Sequence, residues 1–199
     1  MSANASTGSL LRRSIGQSSL SLPIRVAGVA LAVTLTAASA QFTSPLPFTD
    51  VPFVLTPMVV LLAGAALGSR LGALSQALYL VAGLAGLQVF APSVTLPPGA
   101  LRLLGPTGGY LMAYPMAAFL TGWLAERGWD RRYVTSLAAM LAGLAVIYVG
   151  GVSWRIGLVG SFDLAVATSV VPFVIPDVLK LVAAAMILPG ASRLVDARR

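Results

Sequence analysis

The 199 residues include no cysteine and no histidine. That excludes disulfides, thiolate nucleophiles, the usual zinc sites and imidazole acid–base chemistry. Carboxylates are scarce as well: Asp50, Glu126, Asp130, Asp163, Asp177 and Asp196 are scattered, with no close pair that suggests hydrolysis or a metal site. Neither an enzyme nor a metal centre is expected. Only 10% of residues are charged while 57% are hydrophobic, and the mean hydropathy is +0.89; a soluble domain carries about 25% charge. Lipid is therefore the expected solvent. Every backbone polar group must then find a partner within the protein, which restricts the spans to helices or a closed barrel.

Apolar runs of spanning length without period-two alternation favour helices. Six are read from the sequence, at Ile24–Phe42, Val54–Gly68, Leu71–Val89, Thr107–Ala125, Tyr133–Val152 and Val170–Leu188. The expected fold class is an all-α membrane protein of six transmembrane helices, occupying residues 22–190. A disordered polar lead at 1–21 precedes it and a basic cytoplasmic tail at 191–199 follows. With the N-terminus inside, Arg12, Arg13, Arg25, Arg70, Arg127, Arg131, Arg132, Arg193, Arg198 and Arg199 fall on the inner side, against Arg102 and Arg155 outside. The bias places both termini in the cytoplasm and explains the net charge of +7 without a nucleic-acid partner. A rival reading takes Arg25, a short apolar core and Ala38-Ser39-Ala40 as a cleavable signal peptide. Removing that span would leave five and break the charge pattern.

Four constellations stand out. Asp177 and Lys180 lie three residues apart inside the sixth span, on one helical face, just after Pro176. A charge at mid-bilayer costs about 2.5–3.5 kcal/mol on insertion scales, so the pair is expected inside, meeting a polar ligand or merely locking the helix. Pro176 suits the first turn of a helix, and an acid just after it is favoured by the helix dipole. The second is Gly105-Pro106-Thr107-Gly108-Gly109-Tyr110. Thr107 is placed to cap, and Gly108 and Gly109 either bare the main chain to a ligand or let helices pack closely. Tyr110 offers a flat apolar face with a polar tip, or anchors the helix at the interface.

The third is the outer segment Phe42 to Pro57. Pro45, Pro47, Pro52 and Pro57 stiffen it and Phe42, Phe48 and Phe53 make it apolar, as in a lid or an aromatic belt. The fourth is a ridge of small residues, Gly28, Ala32, Thr36 and Ala40, that lets a helix of this chain or of another protein approach closely.

Together these stretches resemble the BioY family, the biotin-capturing S component of energy-coupling-factor (ECF) importers. The resemblance runs through Val51-Pro52-Phe53-Val54-Leu55, Leu61 to Ala73, Tyr79 to Phe90, Gly105 to Tyr110, and Pro172-Phe173 with Pro176-Asp177 and Lys180. It implies an S-component fold in a bacterial cytoplasmic membrane, with biotin as ligand and no cofactor bound by this chain. The implied partners are a transmembrane coupling protein and a pair of ABC ATPases that use the ATP, since this chain has no Walker sequence.

The resemblance also implies roles. Asp177 and Lys180 contact the ligand, and the first outer loop closes over the site. From the chemistry of biotin itself, Asp177 is expected to accept from the urea and Lys180 to donate to the urea carbonyl or the carboxylate, Tyr110 with Phe53 to pack the ring, and Gly108 and Gly109 to donate main-chain N–H groups. The helix-one ridge docks on the coupling protein. Thr56 stands where the family often has glutamine, and Gln88 replaces a proline. Residues 91–104 lack the family's loop asparagine, so Ser93, Thr95 or a backbone group is expected to replace its hydrogen bond. The competing expectation is a self-contained secondary transporter or channel, against which no convincing repeat links the two halves.

Overall fold

The computed structural model describes residues 22–47, 49–93 and 96–197. The expected polar lead, Arg12, Arg13, Phe48, Thr95, Arg198 and Arg199 lie outside them. Six long helices occur among the described residues: α1 (Leu22–Gln41), α2 (Thr56–Leu67), α3 (Ser69–Leu84), α5 (Gly108–Glu126), α6 (Tyr133–Val159) and α8 (Val171–Ala197). Two short ones, α4 (Leu101–Leu104) and α7 (Phe162–Ser169), and a 3-10 turn at Trp129–Arg131 complete the helical set. Among the described residues, three helices, at Leu22–Gln41, Tyr133–Val159 and Val171–Gly190, are long and apolar enough to cross a membrane.

The chain is not purely helical. Strands β1 (Thr43–Leu46) and β2 (Thr49–Val54) form an antiparallel hairpin, with Thr43 opposite Val54 and a register shift between Ser44 and Leu46. Pro45 and Pro52 are tolerated because both strands are edges, where a missing N–H need not break a ladder. Within β2, Asp50 is exposed and Val51 buried while the other residues are half-buried, so the Val51 side of the strand lies against the helices.

Helix α5 is the hub, packing on α2, α3 and α6. Close approach needs small residues: a Cβ on Gly64 of α2 would strike the Ala118 carbonyl of α5. Around this contact Val60, Leu61, Met140, Ile147 and Leu181 are fully buried. The outer faces are apolar as well, with Leu31 and Leu35 on α1 and Ile175, Leu179 and Met186 on α8 exposed, as lipid contact requires. At one end the Glu126 carboxylate accepts from Ser69 N and Ser69 Oγ, both at 3.0 Å, and so caps the first turn of α3.

Helix boundaries shift for local reasons. The third run ends at Leu84 rather than Val89 because Gly86, at φ 92°, closes a Schellman turn: Leu87 N bonds Ala82 O and Gly86 N bonds Gly83 O. Phe90 then folds back into the core, edge-on to Tyr79. The fifth run continues to Val159, two turns beyond expectation, and carries Trp154 and Arg155 with it. The stretch read as an outer loop after it holds α7, capped by Ser161, whose Oγ accepts from Leu164 N. Helix α8 begins at Val171, so Pro172 occupies its first turn and Pro176 lies inside the helix.

Candidate ligand-binding site

One turn apart on α8, Asp177 and Lys180 form an ion pair, with side chains 8% and 12% exposed. Each is also tied to a second element. Tyr148 of α6 donates its hydroxyl to Asp177 Oδ2 at 2.7 Å, and Lys180 Nζ donates to the Val54 carbonyl at 2.7 Å while lying 4.1 Å from the Phe53 ring centroid. The ion pair thus joins α8 to α6 and to the end of β2. Charge-assisted bonds of this kind are stronger than neutral ones. Each Asp177 oxygen has one partner and retains a lone pair.

Asp177 opens on a cavity of about 60 Å³. One water needs about 10–15 Å³ on this scale, so there is room for a small molecule. Its walls are mostly apolar and aromatic. Tyr110 and Tyr114 come from α5, Tyr79 from α3, Phe173 from α8 and Phe90 from the turn after α3; Val51, Pro52 and Val54 of β2 cover it. Tyr110 is fixed by donating to the Ser169 carbonyl at 2.7 Å, and Tyr79 by donating to the Val89 carbonyl at 3.1 Å. Tyr114 stacks on Tyr79, with ring centroids 6.4 Å apart. The polar groups are few: Asp177, Tyr148, Thr56, Thr107 and Arg102. Arg102, on α4, has a buried Nε without a hydrogen-bond partner, and burial pulls its guanidinium below its ordinary pKa. An apolar pocket with a few convergent polar groups is the usual form of a small-molecule site.

The expected residues divide into three groups. Asp177, Tyr110, Thr107 and Thr56 line the cavity; Lys180 and Phe53 stand behind it, reaching it through Asp177 and β2. Thr107 sits at the start of α5 but makes no side-chain cap bond. Gly108 and Gly109 lie elsewhere. A Cβ on Gly109 would strike Gly150 O and Trp154 Cβ, and one on Gly108 the Leu103 carbonyl, so these glycines serve packing of α5 against α6 and α4. Ser93 lies in a second pocket beside Gln88 and Arg102 and accepts from Leu96 N.

The ridge on α1 also turns inward. Ala32, Thr36 and Ala40 are buried and Gly28 half-buried, and Thr36 Oγ1 accepts from Gln76 Nε2 of α3 at 3.3 Å. This chain's own helices therefore cover most of the ridge expected to dock on another protein. Sequence reading missed Tyr148 and Tyr114, which look like ordinary members of apolar helices. It counted Arg102 only as an outer charge. The signal that could have found Arg102 is its place three residues before Gly105, at the mouth of the glycine-rich helix start.

The chain is similar to known proteins in both sequence and fold. The model of the BioY family matches residues 13–197. The chain is 42% identical over 159 residues to a probable biotin transporter BioY of Pyrococcus horikoshii, covering 80% of this chain and 90% of that one. It is 40% identical to the biotin transporter BioY of Thermotoga maritima, over 71% of this chain and 81% of the relative. Among solved structures, the crystal structure of the S-component for biotin from an ECF-type ABC transporter superposes with a TM-score of 0.75. It covers 88% of this chain and 94% of that chain, at 24% identity, and so shows a shared fold.

Proposed function

Because the chain belongs to the BioY family, we propose that it is the biotin-capturing S component of an ECF importer in a bacterial cytoplasmic membrane. In this reading the helices form a six-segment membrane domain, in which α1, α6 and α8 are long and apolar enough to cross alone, both termini face the cytoplasm, and the hairpin and cavity face out. This is a multi-pass membrane transport protein and not an enzyme.

The observation that carries the reading is the chemistry of the cavity wall. Biotin is a urea, a thioether bicycle and a valerate tail. The lining offers a carboxylate with free lone pairs at Asp177, an aromatic middle at Tyr79, Tyr114 and Phe173, and an unpaired cationic donor at Arg102. The urea N–H groups bond Asp177, the bicycle lies among the rings, and the carboxylate reaches Arg102. Lys180 holds Asp177 in place through their ion pair, while a second of its three donors goes to the Val54 carbonyl and its ammonium lies over the Phe53 ring.

Capture of a scarce vitamin calls for nanomolar affinity, about −12 kcal/mol. Over about 16 non-hydrogen atoms that is roughly −0.8 kcal/mol per atom, high for this size and reachable only with near-complete enclosure under the hairpin. A transmembrane coupling protein and an ABC ATPase pair supply the energy. The exposed side of α1, where Ala30, Thr34 and Ala38 recur every four residues, is the docking face in place of the buried ridge.

Isothermal titration of the purified chain against water-soluble vitamins tests the ligand. Biotin is expected to bind one to one at nanomolar concentrations without ATP or partners; selective binding of a different vitamin, or of none, would overturn the reading.

A further inference from the structure

The outer end of the hairpin is fastened to the helices by residues that do not touch the cavity. Thr49 Oγ1 donates to the Thr168 carbonyl of α7 at 2.7 Å. Beside it the Arg155 guanidinium of α6 lies 3.7 Å from Asp50 Oδ2 and donates to Thr168 Oγ1 at 3.3 Å. Thr168 Oγ1 in turn donates to Leu164 O within α7. None of Thr49, Asp50, Arg155 and Thr168 lines the cavity. The other end of β2 is held by Lys180 on the Val54 carbonyl. Between these two attachments run Val51 and Pro52, which cover the cavity.

An ordinary surface ion pair would mean little, since most contribute under about 1 kcal/mol. This one is lopsided. The Arg155 side chain is 6% exposed and that of Asp50 78%, so a buried cation depends on a carboxylate that only the hairpin brings to it. Lifting the hairpin leaves Arg155 buried without its counter-charge and Thr168 O without its donor. Helix α7 also receives Tyr110 on the Ser169 carbonyl, so the surface that grips the hairpin is braced by a residue of the cavity wall.

We propose that Asp50, Arg155, Thr49 and Thr168 form a clasp that sets the rate at which the hairpin opens and so the rate of ligand exchange. These are positioning residues. The inference rests on the proposed biotin site. Because the clasp does not touch the ligand, it weighs equally on closed protein with and without biotin. Its removal speeds entry and exit together and leaves the equilibrium constant almost unchanged.

The test is stopped-flow association and labelled-biotin dissociation on the purified full chain. Asp50→Asn, which loosens the ion pair, and Thr49→Val, which removes one hydrogen bond, are each expected to raise both rates about two- to fivefold, with Kd moving less than about twofold. Unchanged rates, or a weaker Kd with unchanged association, would overturn the clasp. Absence of biotin binding in the parent chain would instead strike at the proposed function. The lack of native cysteine allows a second measurement that does not depend on weakening the fold. In the Thr49→Cys/Thr168→Cys variant, a reducible bis-methanethiosulfonate bridge is expected to stop exchange and reductant to restore it; equal exchange in both forms would also overturn the proposal.

Discussion

Replacing Asp177 by asparagine changes one oxygen to an amide without changing shape, and its effect can be worked from the contacts. In the parent, Oδ1 faces Lys180 and Oδ2 accepts from Tyr148, so the remaining lone pairs are those of a full carboxylate. A hydrogen bond to a charged group is worth about 1.5–3 kcal/mol and a neutral one about 0.5–1.5. The urea contact alone therefore loses about 1–2 kcal/mol, which is about five- to thirtyfold in affinity. The amide also turns its NH2 toward either Lys180 or Tyr148, so one of the two loses its acceptor; in the first case Lys180 keeps only the Val54 carbonyl and the Phe53 ring. Both effects go the same way, so Asp177→Asn is expected to weaken biotin at least tenfold. Isothermal titration gives the affinity, and thermal unfolding of the solubilised variant shows that the fold is retained. A folded variant whose Kd stays within about twofold of the parent would refute the assignment of Asp177 to the urea.

Arg102→Gln is expected to weaken biotin about tenfold, the loss of one charge-assisted bond, and to leave the affinity for biotin amide, which has no carboxylate, unchanged. Equal loss for both compounds in competition binding would remove Arg102 from the carboxylate. Gly109→Ala pushes a methyl group into Gly150 O and Trp154 and is expected to destabilise the solubilised protein by about 1–3 kcal/mol. A thermal midpoint equal to the parent's would show that α5 and α6 have slack there.

Much of the site was readable because the membrane makes charge conspicuous. Asp177 and Lys180 stand out in an apolar run, and the structure makes them partners within one turn. Tyr148 carries no such mark: a tyrosine in an apolar helix reads as packing, and only the fold brings its hydroxyl 2.7 Å from Asp177. Glycines mislead for a related reason. Gly109 fits both ligand approach and helix contact, and only the fold brings Gly150 and Trp154, some 40 residues away in sequence, against it. The prolines of residues 42–57 concealed the pairing of β1 with β2, because proline ordinarily argues against strands. On α1 the spacing of small residues was legible, yet two such stripes run along the helix a few positions apart. Which one faces inward is fixed by Gln76 and the other residues of α3 that cover Thr36.

A structure of the full chain with biotin bound, determined by crystallography or electron microscopy, would locate the guest among these groups. The expected result is a urea nitrogen within about 3.2 Å of the Asp177 carboxylate, with the bicycle against Tyr114 and the valerate at Arg102 beneath the hairpin. Biotin seated away from Asp177, or on the opposite side of the helices from β1 and β2, would contradict it.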